Sequence, residues 1–154
     1  FIMAEITAKN ADTQSFIPLM RELLNAYHAF ASYDANGHRF SGSGLTVAQA
    51  NVIFTLGNTD GMTCKDIGDW THITKGTLTG VIDRLELKGL VERWAVEGDG
   101  RKTIVALTRK GERLFQKEYP RHISYLKERF DGMSAADRKQ AVRLLQTVNG
   151  LFED

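Results

Sequence analysis

The architecture of this chain follows from residues 73–93, which read ITKGTLTGVIDRLELKGLVER. Apolar residues recur every three or four positions in the first part of this run, so the sequence predicts a helix with one apolar face. Thr74 is a typical N-cap before that helix, and Lys88-Gly89 is a typical helix end. From Leu90 to Val96 polar and apolar residues alternate in a way that predicts a strand.

Downstream of this run the sequence predicts a second strand and two long helices. Residues 97–102 (EGDGRK) are turn formers, and residues 103–107 (TIVAL) are rich in β-branched side chains, so the two predicted strands form a hairpin. Thr108 is suited to cap the first long helix, in which Pro120 predicts a kink or a break. Ser134 is suited to cap the last helix.

Upstream of the run the sequence predicts three further helices. The TVAQ stretch at residues 46–49 is a capping box, and the helix that it opens ends in the glycine-containing stretch 57–61. A shorter helix is predicted to follow from Thr63 to Trp70. Residues 15–33 carry an amphipathic stripe, whereas residues 34–44 lack a period and are predicted to form a loop.

Composition limits the classes of protein to which the chain can belong. Its 154 residues suit a single domain, predicted at 1–154, and the apolar content of 42% is ordinary for a globular protein. One cysteine permits no intrachain disulfide, so we expect a reducing, cytoplasmic location. The net charge of +1 does not by itself indicate nucleic acid, so any DNA-binding charge must be local.

Two short consecutive helices, joined by the residues WTHI at 70–73, are typical of a helix-turn-helix. In that motif the second helix enters the major groove, and its N-terminal residues meet base edges and phosphates. Gly76 and Gly80 cost about 1 kcal/mol each relative to Ala within a helix, which indicates either close approach of an external partner or tight internal packing. The hydrogen-bonding side chains predicted to face DNA are Thr74, Lys75, Thr77 and Thr79.

The predicted hairpin tip, residues 98–102 (GDGRK), carries two cations on a turn that contains two glycines. Arg101 and Lys102 can reach a phosphate or a narrow minor groove. We expect Asp99 to hold Arg101 in one rotamer through an ion pair, which would reduce the entropy lost on binding.

Taken together, these segments resemble the MarR family of bacterial transcription regulators. The resemblance is carried by LTVAQ at 45–49, MTCKDIG at 62–68, the run 73–93, DGR at 99–101 and VALTRKG at 105–111. It implies a mainly α protein with a β-hairpin wing, acting as a homodimeric, ligand-responsive repressor on a pseudo-palindromic operator.

The resemblance also assigns regions and residues. Residues 13–33 and 109–154 would form the helical dimerisation region, and 45–108 the winged helix-turn-helix lobe. Gly100 stands where many members carry another arginine, so Lys102 is expected to substitute for it. The full set of residues expected to contact DNA is Thr63, Lys65, Thr74, Lys75, Thr77, Thr79, Arg84, Asp99, Arg101 and Lys102.

A small aromatic acid is the effector that the resemblance implies, with Tyr27, His28, Phe30 and Tyr33 as candidate ligand-binding residues. No spacing of His or Cys predicts a metal site, no cofactor motif is present, and no acid–base or nucleophile constellation predicts an enzyme. An alternative stays open: the winged helix could bind a protein instead of DNA. Binding to mixed-sequence DNA that weakens steeply with salt would distinguish the two.

Overall fold

Six helices and a small antiparallel sheet account for most of residues 4–154, the part of the chain that the computed structural model describes. The predicted domain, 1–154, includes residues 1–3, which lie outside the described residues. In chain order the elements are a 3-10 turn (Ala11–Thr13), α1 (Ile17–Phe40), α2 (Val47–Leu56), β1 (Met62–Thr63), α3 (Cys64–Thr71), α4 (Lys75–Leu87), β2 (Val91–Val96), β3 (Asp99–Leu107), α5 (Arg109–Phe130) and α6 (Ala135–Gly150).

Most of the predicted helix starts are confirmed. Thr46 accepts the Gln49 N–H and the Gln49 side chain returns to the Thr46 N–H, which completes a capping box. The side chains of Thr63, Thr108 and Ser134 each accept a backbone N–H three residues on, and so cap α3, α5 and α6. The N-cap bond spans three residues, so these starts can be recognised from local sequence.

The strands form one antiparallel sheet in the order β1-β3-β2, and the predicted fold class, mainly α with a hairpin wing, is confirmed. The short β1, which the sequence did not predict, pairs Met62 with Val105 and Thr63 with Ile104. A strand of two residues has too little alternation to be recognised. Its partners also lie more than 40 positions away, so only the folded chain brings them together.

The described residues fall into two compact units, one ending at Asn36 and the other running from Gly37 to Asp154. The second unit contains the main core, in which residues of α2, α3, α4 and the sheet pack together. Its fully buried side chains include Ile53, Ile67, Ile82 and Val105, each with 0% exposure. The core thus fixes the helix-turn-helix and the base of the wing as one body.

The predicted loop at residues 34–44 is wrong over its first seven positions, because α1 continues to Phe40. A Cβ on Gly37 would lie 2.5 Å from the Tyr125 ring, so this stretch of α1 packs closely on α5. Burial of His38, which is 7% exposed, belongs to the same contact region. Tertiary packing therefore extends the helix beyond the segment whose local pattern supports it.

Of the kink or break predicted at Pro120, a break does not occur, since α5 runs from Arg109 to Phe130. A proline removes one backbone hydrogen bond from a helix interior, at a cost of about 3 kcal/mol. Phe115 and His122, on either side of Pro120, are buried at 5% and 8% exposure. Burial on both sides holds the two halves of α5 in one helix.

Across residues 4–154, no helix combines the length and the apolar character needed to cross a bilayer.

Candidate nucleic-acid interface

Helix α4 presents two distinct faces, and its core face determines which residues point outward. Leu78, Val81, Ile82 and Leu85 are buried against the other helices of the second unit. A left-handed residue, His72 at φ 57°, ends α3 and turns the chain into α4. The exposed residues of the first two turns of α4 and its N-cap include Thr74, Lys75, Thr77 and Thr79, so the four side chains predicted to face DNA lie on solvent.

Thr74 occupies the N-cap position of α4 but does not cap the helix as predicted. Its hydroxyl donates to the hydroxyl of Thr77, with an Oγ1–Oγ1 distance of 3.2 Å, and accepts no backbone N–H. The first intrahelical hydrogen bond runs from Leu78 N to Thr74 O, at 2.8 Å. The N–H groups at residues 75–77 are therefore left uncapped at the positive end of the helix, where an anion is favoured.

Gly76 lies in open space on the same end of α4. A Cβ built at this position meets no atom within 4 Å. Tight internal packing, one of the two explanations for this glycine, is thereby excluded. This space would allow an external partner to approach the backbone closely.

Two threonines of α4 are already engaged by hydrogen bonds. Thr79 Oγ1 donates to the carbonyl of Lys75 at 3.1 Å, and Thr77 accepts from Thr74. Each hydroxyl keeps further hydrogen-bonding capacity, and its methyl group is held in a defined position. These short side chains can contact a base edge or a phosphate, whereas they cannot neutralise charge.

Arg93, a residue that was not among the predicted sites, joins the wing to α4. Its Nε lies 3.2 Å from Oε2 of Glu86, and its Nη2 also binds Asp83. The hydrogen bond to Glu86, followed by that to Asp83, raises the pKa of Arg93 above its usual value. No local pattern in the sequence identifies a partner for Asp83 or Glu86 on the following strand.

The same geometry bears on Arg84, one of the residues expected to contact DNA. The neighbouring carboxylates of Asp83 and Glu86 bind Arg93. The Arg84 side chain is exposed on α4, where its Nη1 lies 4.0 Å from a Cβ built on Gly80. It remains available for an external contact.

The wing tip is shorter than predicted, and its cations lie on strand β3. Val96 pairs with Asp99, so the turn consists of residues 97–98, with Gly98 at φ +83°. Ala95 pairs with Thr103, which leaves residues 100–102 as a bulge in β3. Arg101 and Lys102 are exposed on this bulge. The bulge arises because β3 has three extra residues between two positions that pair with consecutive residues of β2. The residue composition of the turn does not reveal this difference.

Asp99 acts on the backbone of the bulge and not on the guanidinium. Its Oδ1 accepts the N–H of Arg101 at 3.2 Å, whereas the expected Asp99–Arg101 ion pair is not formed in the described part of the chain. The short carboxylate therefore shapes the chain path that presents Arg101 and Lys102.

The predicted residues of α3 have structural partners of their own. Thr63 caps the helix, and Lys65 Nζ lies 3.1 Å from Asp69 Oδ2 one turn on. The hydrogen bond to Asp69 raises the pKa of Lys65. Both charges are exposed, so water screens this pair. Cys64 is exposed between these residues.

A small cavity of about 120 Å³ lies in the second unit, and no residue of α4 lines it. Its aromatic walls include Phe54 and Tyr125, and the rings of His38 and His122 stack with centroids 4.0 Å apart. Arg121 also lines it. We refer to this cavity as the histidine cleft. The predicted effector residues Tyr27, His28, Phe30 and Tyr33 belong to the first unit, where Tyr27 and His28 pack edge to face at 5.4 Å.

Comparison with known proteins supports the same architecture. The sequence model of the MarR family matches residues 43–102. The chain is 25% identical over 147 residues to the uncharacterized HTH-type transcriptional regulator YkoM of Bacillus subtilis (strain 168), covering 94% of this chain and 92% of that protein. It is 26% identical over 118 residues to the HTH-type transcriptional repressor YetL of the same strain, covering 75% of this chain and 69% of YetL.

Among solved structures, the chain is similar to BpsR of Bordetella bronchiseptica, with a TM-score of 0.75 and 26% sequence identity. The alignment covers 92% of this chain and 98% of BpsR, whose structure concerns the regulation of DNA binding by 6-hydroxynicotinic acid. The match spans the flanking helices as well as the helix-turn-helix and wing. The chain is therefore similar to MarR-family transcriptional regulators over its helix-turn-helix and wing, and to a solved DNA-binding regulator in its fold.

Proposed function

We propose that the chain is a homodimeric, ligand-responsive repressor that binds a pseudo-palindromic operator in double-stranded DNA. The observation that carries the proposal is the outer end of α4, where uncapped N–H groups, an unobstructed Gly76 and the exposed Lys75 lie together. The wing bulge adds Arg101 and Lys102. These groups can donate to phosphates and base edges, as a recognition helix and wing do in the major and minor grooves.

The residues proposed to contact DNA are those expected from the sequence, with roles adjusted to the geometry. Thr63, the N-cap of α3, and Lys65 within α3 would contact the DNA backbone, and Thr77 and Thr79 would read base edges from α4. Such a regulator performs no reaction of its own, and the proposal includes neither a catalytic residue nor a cofactor. The proposal also includes a cytoplasmic location, because bacterial operators lie in the cytoplasm.

A salt titration tests the DNA contact directly. Fluorescence anisotropy with a labelled mixed-sequence duplex would be measured from about 50 to 200 mM salt, where a protein with several phosphate contacts loses affinity steeply. A flat response, or the absence of binding at low salt, would contradict the proposal. It would favour instead a winged helix that binds a protein.

Assembly as a dimer is supported by the apolar side chains that one protomer leaves on solvent. On α6 and just after it, Val142, Leu144, Leu145, Leu151 and Phe152 are each at least 50% exposed. Five apolar side chains on one terminal segment form the kind of patch that marks an interface. We propose an intertwined two-fold dimer that buries more than roughly 2,000 Å² and places two recognition helices about 34 Å apart.

Light scattering checks the dimer, because a species of only 17.2 kDa at micromolar concentration would exclude it. Leu145→Glu should shift the mass toward the monomer, since a carboxylate would be buried at the interface. Glu153→Gln, on the exposed C-terminus, is the control and should leave the mass unchanged.

The proposed effector is a small aromatic acid. Aromatic rings and the Arg121 guanidinium line the histidine cleft, and a cavity of this order accommodates about one aromatic ring. Tyr27, His28, Phe30 and Tyr33, which belong to the first unit, stay proposed as ligand-binding residues. A thermal-shift screen of small aromatic acids, repeated with operator DNA, tests this. An effector that relieves repression should stabilise the free protein and weaken the DNA complex.

A further inference from the structure

A second group of cations lies at the far end of α4 from the proposed DNA contact. Lys88, Lys110, Arg113 and Lys117 line an open pocket of about 510 Å³ together with the α1–α2 loop. We refer to these four cations and the leucines between them as the basic pocket. No acidic side chain lines it.

The cations of the basic pocket are not neutralised by the protein. Lys110 Nζ donates to the Lys88 carbonyl at 2.9 Å, and Lys88 Nζ donates to Gln49 Oε1 at 3.3 Å, so both have neutral acceptors. None of the four forms an ion pair with a carboxylate of residues 4–154. Lys110 also lies in the first turn of α5, where the helix dipole adds positive potential.

DNA bound at the outer end of α4 does not account for this charge. Thr74 and Lys88 flank the 13 residues of α4 on opposite sides. At 1.5 Å per residue, the helix separates them by about 20 Å. The basic pocket therefore needs a different anion if its charge is to be compensated by a ligand.

The uncharged lining indicates the chemistry of that ligand. Leu45, Leu90 and Leu114 lie among the cations, and Leu90 is only 5% exposed. No aromatic side chain lines the pocket, in contrast to the histidine cleft. Aliphatic walls below several cations suit a carboxylate head on an aliphatic chain better than a bare inorganic anion or an aromatic acid.

We propose that the basic pocket binds a medium-chain aliphatic carboxylate, with Arg113 and Lys117 holding the carboxylate and the three leucines contacting the chain. The pocket joins the α4–β2 turn, through Lys88 and Leu90, to α5. It is thus a second ligand site of the regulator, and only its effect on DNA binding rests on the proposed function.

Octanoate is the probe, titrated into the full chain and followed by amide signals in two-dimensional NMR. The signals of Leu90 and Leu114 should shift and saturate, whereas those of Ala50 and Phe54, which line only the histidine cleft, should change less. Octanol and inorganic phosphate, which lack the carboxylate and the chain respectively, should each bind at least about tenfold more weakly. Equal binding of either one would overturn the proposal, as would larger shifts in the cleft.

Matched variants on one helix complete the test. Arg113→Ala should weaken octanoate binding about tenfold, whereas Arg109→Ala, an exposed arginine of α5 that does not line the pocket, should leave it unchanged. Equal affinities of the two variants would refute the site.

Binding of both variants to scrambled duplex DNA is measured in parallel. A loss confined to Arg113→Ala would identify the pocket as a DNA backbone contact and also overturn the proposal. If wild-type protein binds octanoate but no DNA, the proposed function is contradicted, whereas the proposed carboxylate site is still supported.

Discussion

Nε of Arg93 in β2 lies 3.2 Å from Oε2 of Glu86 in α4, so a side-chain pair joins the wing strand to helix α4. Because the Arg93 side chain is 28% exposed and that of Glu86 45%, the pair is partly screened and contributes modestly to stability. The pair adds a polar contact between the wing strand and the helix that is proposed to enter the groove, beside the core packing that joins the two.

Arg93→Ala should therefore affect DNA binding more than folding. We expect the free energy of unfolding to fall by at most about 1 kcal/mol, whereas operator affinity should fall by more because the wing loses its fixed position. Chemical denaturation and anisotropy measure the two quantities. Glu92→Ala, at the adjacent exposed position of β2, is the control. A larger loss of stability than of affinity would assign Arg93 a purely structural role.

Gly76→Ala separates helix stability from DNA contact in a single substitution. The added methyl group meets nothing within 4 Å, so it should stabilise α4 by up to about 1 kcal/mol through helix propensity. The same methyl group should weaken DNA binding if backbone approach at this position is close. Thermal denaturation and anisotropy on the same sample check both effects. Higher stability with unchanged affinity would show that DNA does not approach Gly76.

Gly57→Ala is the matched control for that argument. Here the added Cβ would lie 2.1 Å from the buried ring of Phe115, so the same change should destabilise the protein, by about 1–3 kcal/mol. Opposite signs of the stability change at the two glycines would verify the space that the structure assigns to each.

Arg101→Ala should weaken binding to all DNA sequences about equally. The guanidinium projects from a bulge and is proposed to contact phosphate, so its loss should reduce the salt slope by about one phosphate unit. Asp99→Ala should produce a smaller loss, because Asp99 holds the Arg101 backbone and not its charge. Unchanged affinity of Arg101→Ala over the whole salt range would remove the wing from the mechanism.

Thr77→Ala should reduce the sequence specificity of DNA binding. We expect a cost of about 1–3 kcal/mol on the cognate operator and much less on a scrambled duplex, with the fold and the dimer retained. The operator would first be selected from a random pool, and both duplexes would then be compared at one salt concentration. Equal losses on the two duplexes would mean that α4 only positions the protein and that DNA shape supplies specificity.

Much of the helix-turn-helix could be predicted because its signals are local. The caps at Thr46, Thr63 and Thr108 each bond an N–H three residues away, so their geometry is contained in a few consecutive residues. The end of α4 is equally local, since Gly89 adopts φ +71° directly after Lys88. Such local patterns, together with the spacing of apolar residues, also predict the order of the helices, the hairpin and the exposed face of α4.

The remaining features depend on contacts between residues far apart in the chain. Packing of Gly37 against Tyr125 carries α1 to Phe40, although the local sequence reads as a loop. Asp83 and Glu86 lie on one helix, but it is the hairpin that brings Arg93 to them. Burial energy and ion pairing depend on which surfaces meet in three dimensions, and a one-dimensional pattern does not contain that information.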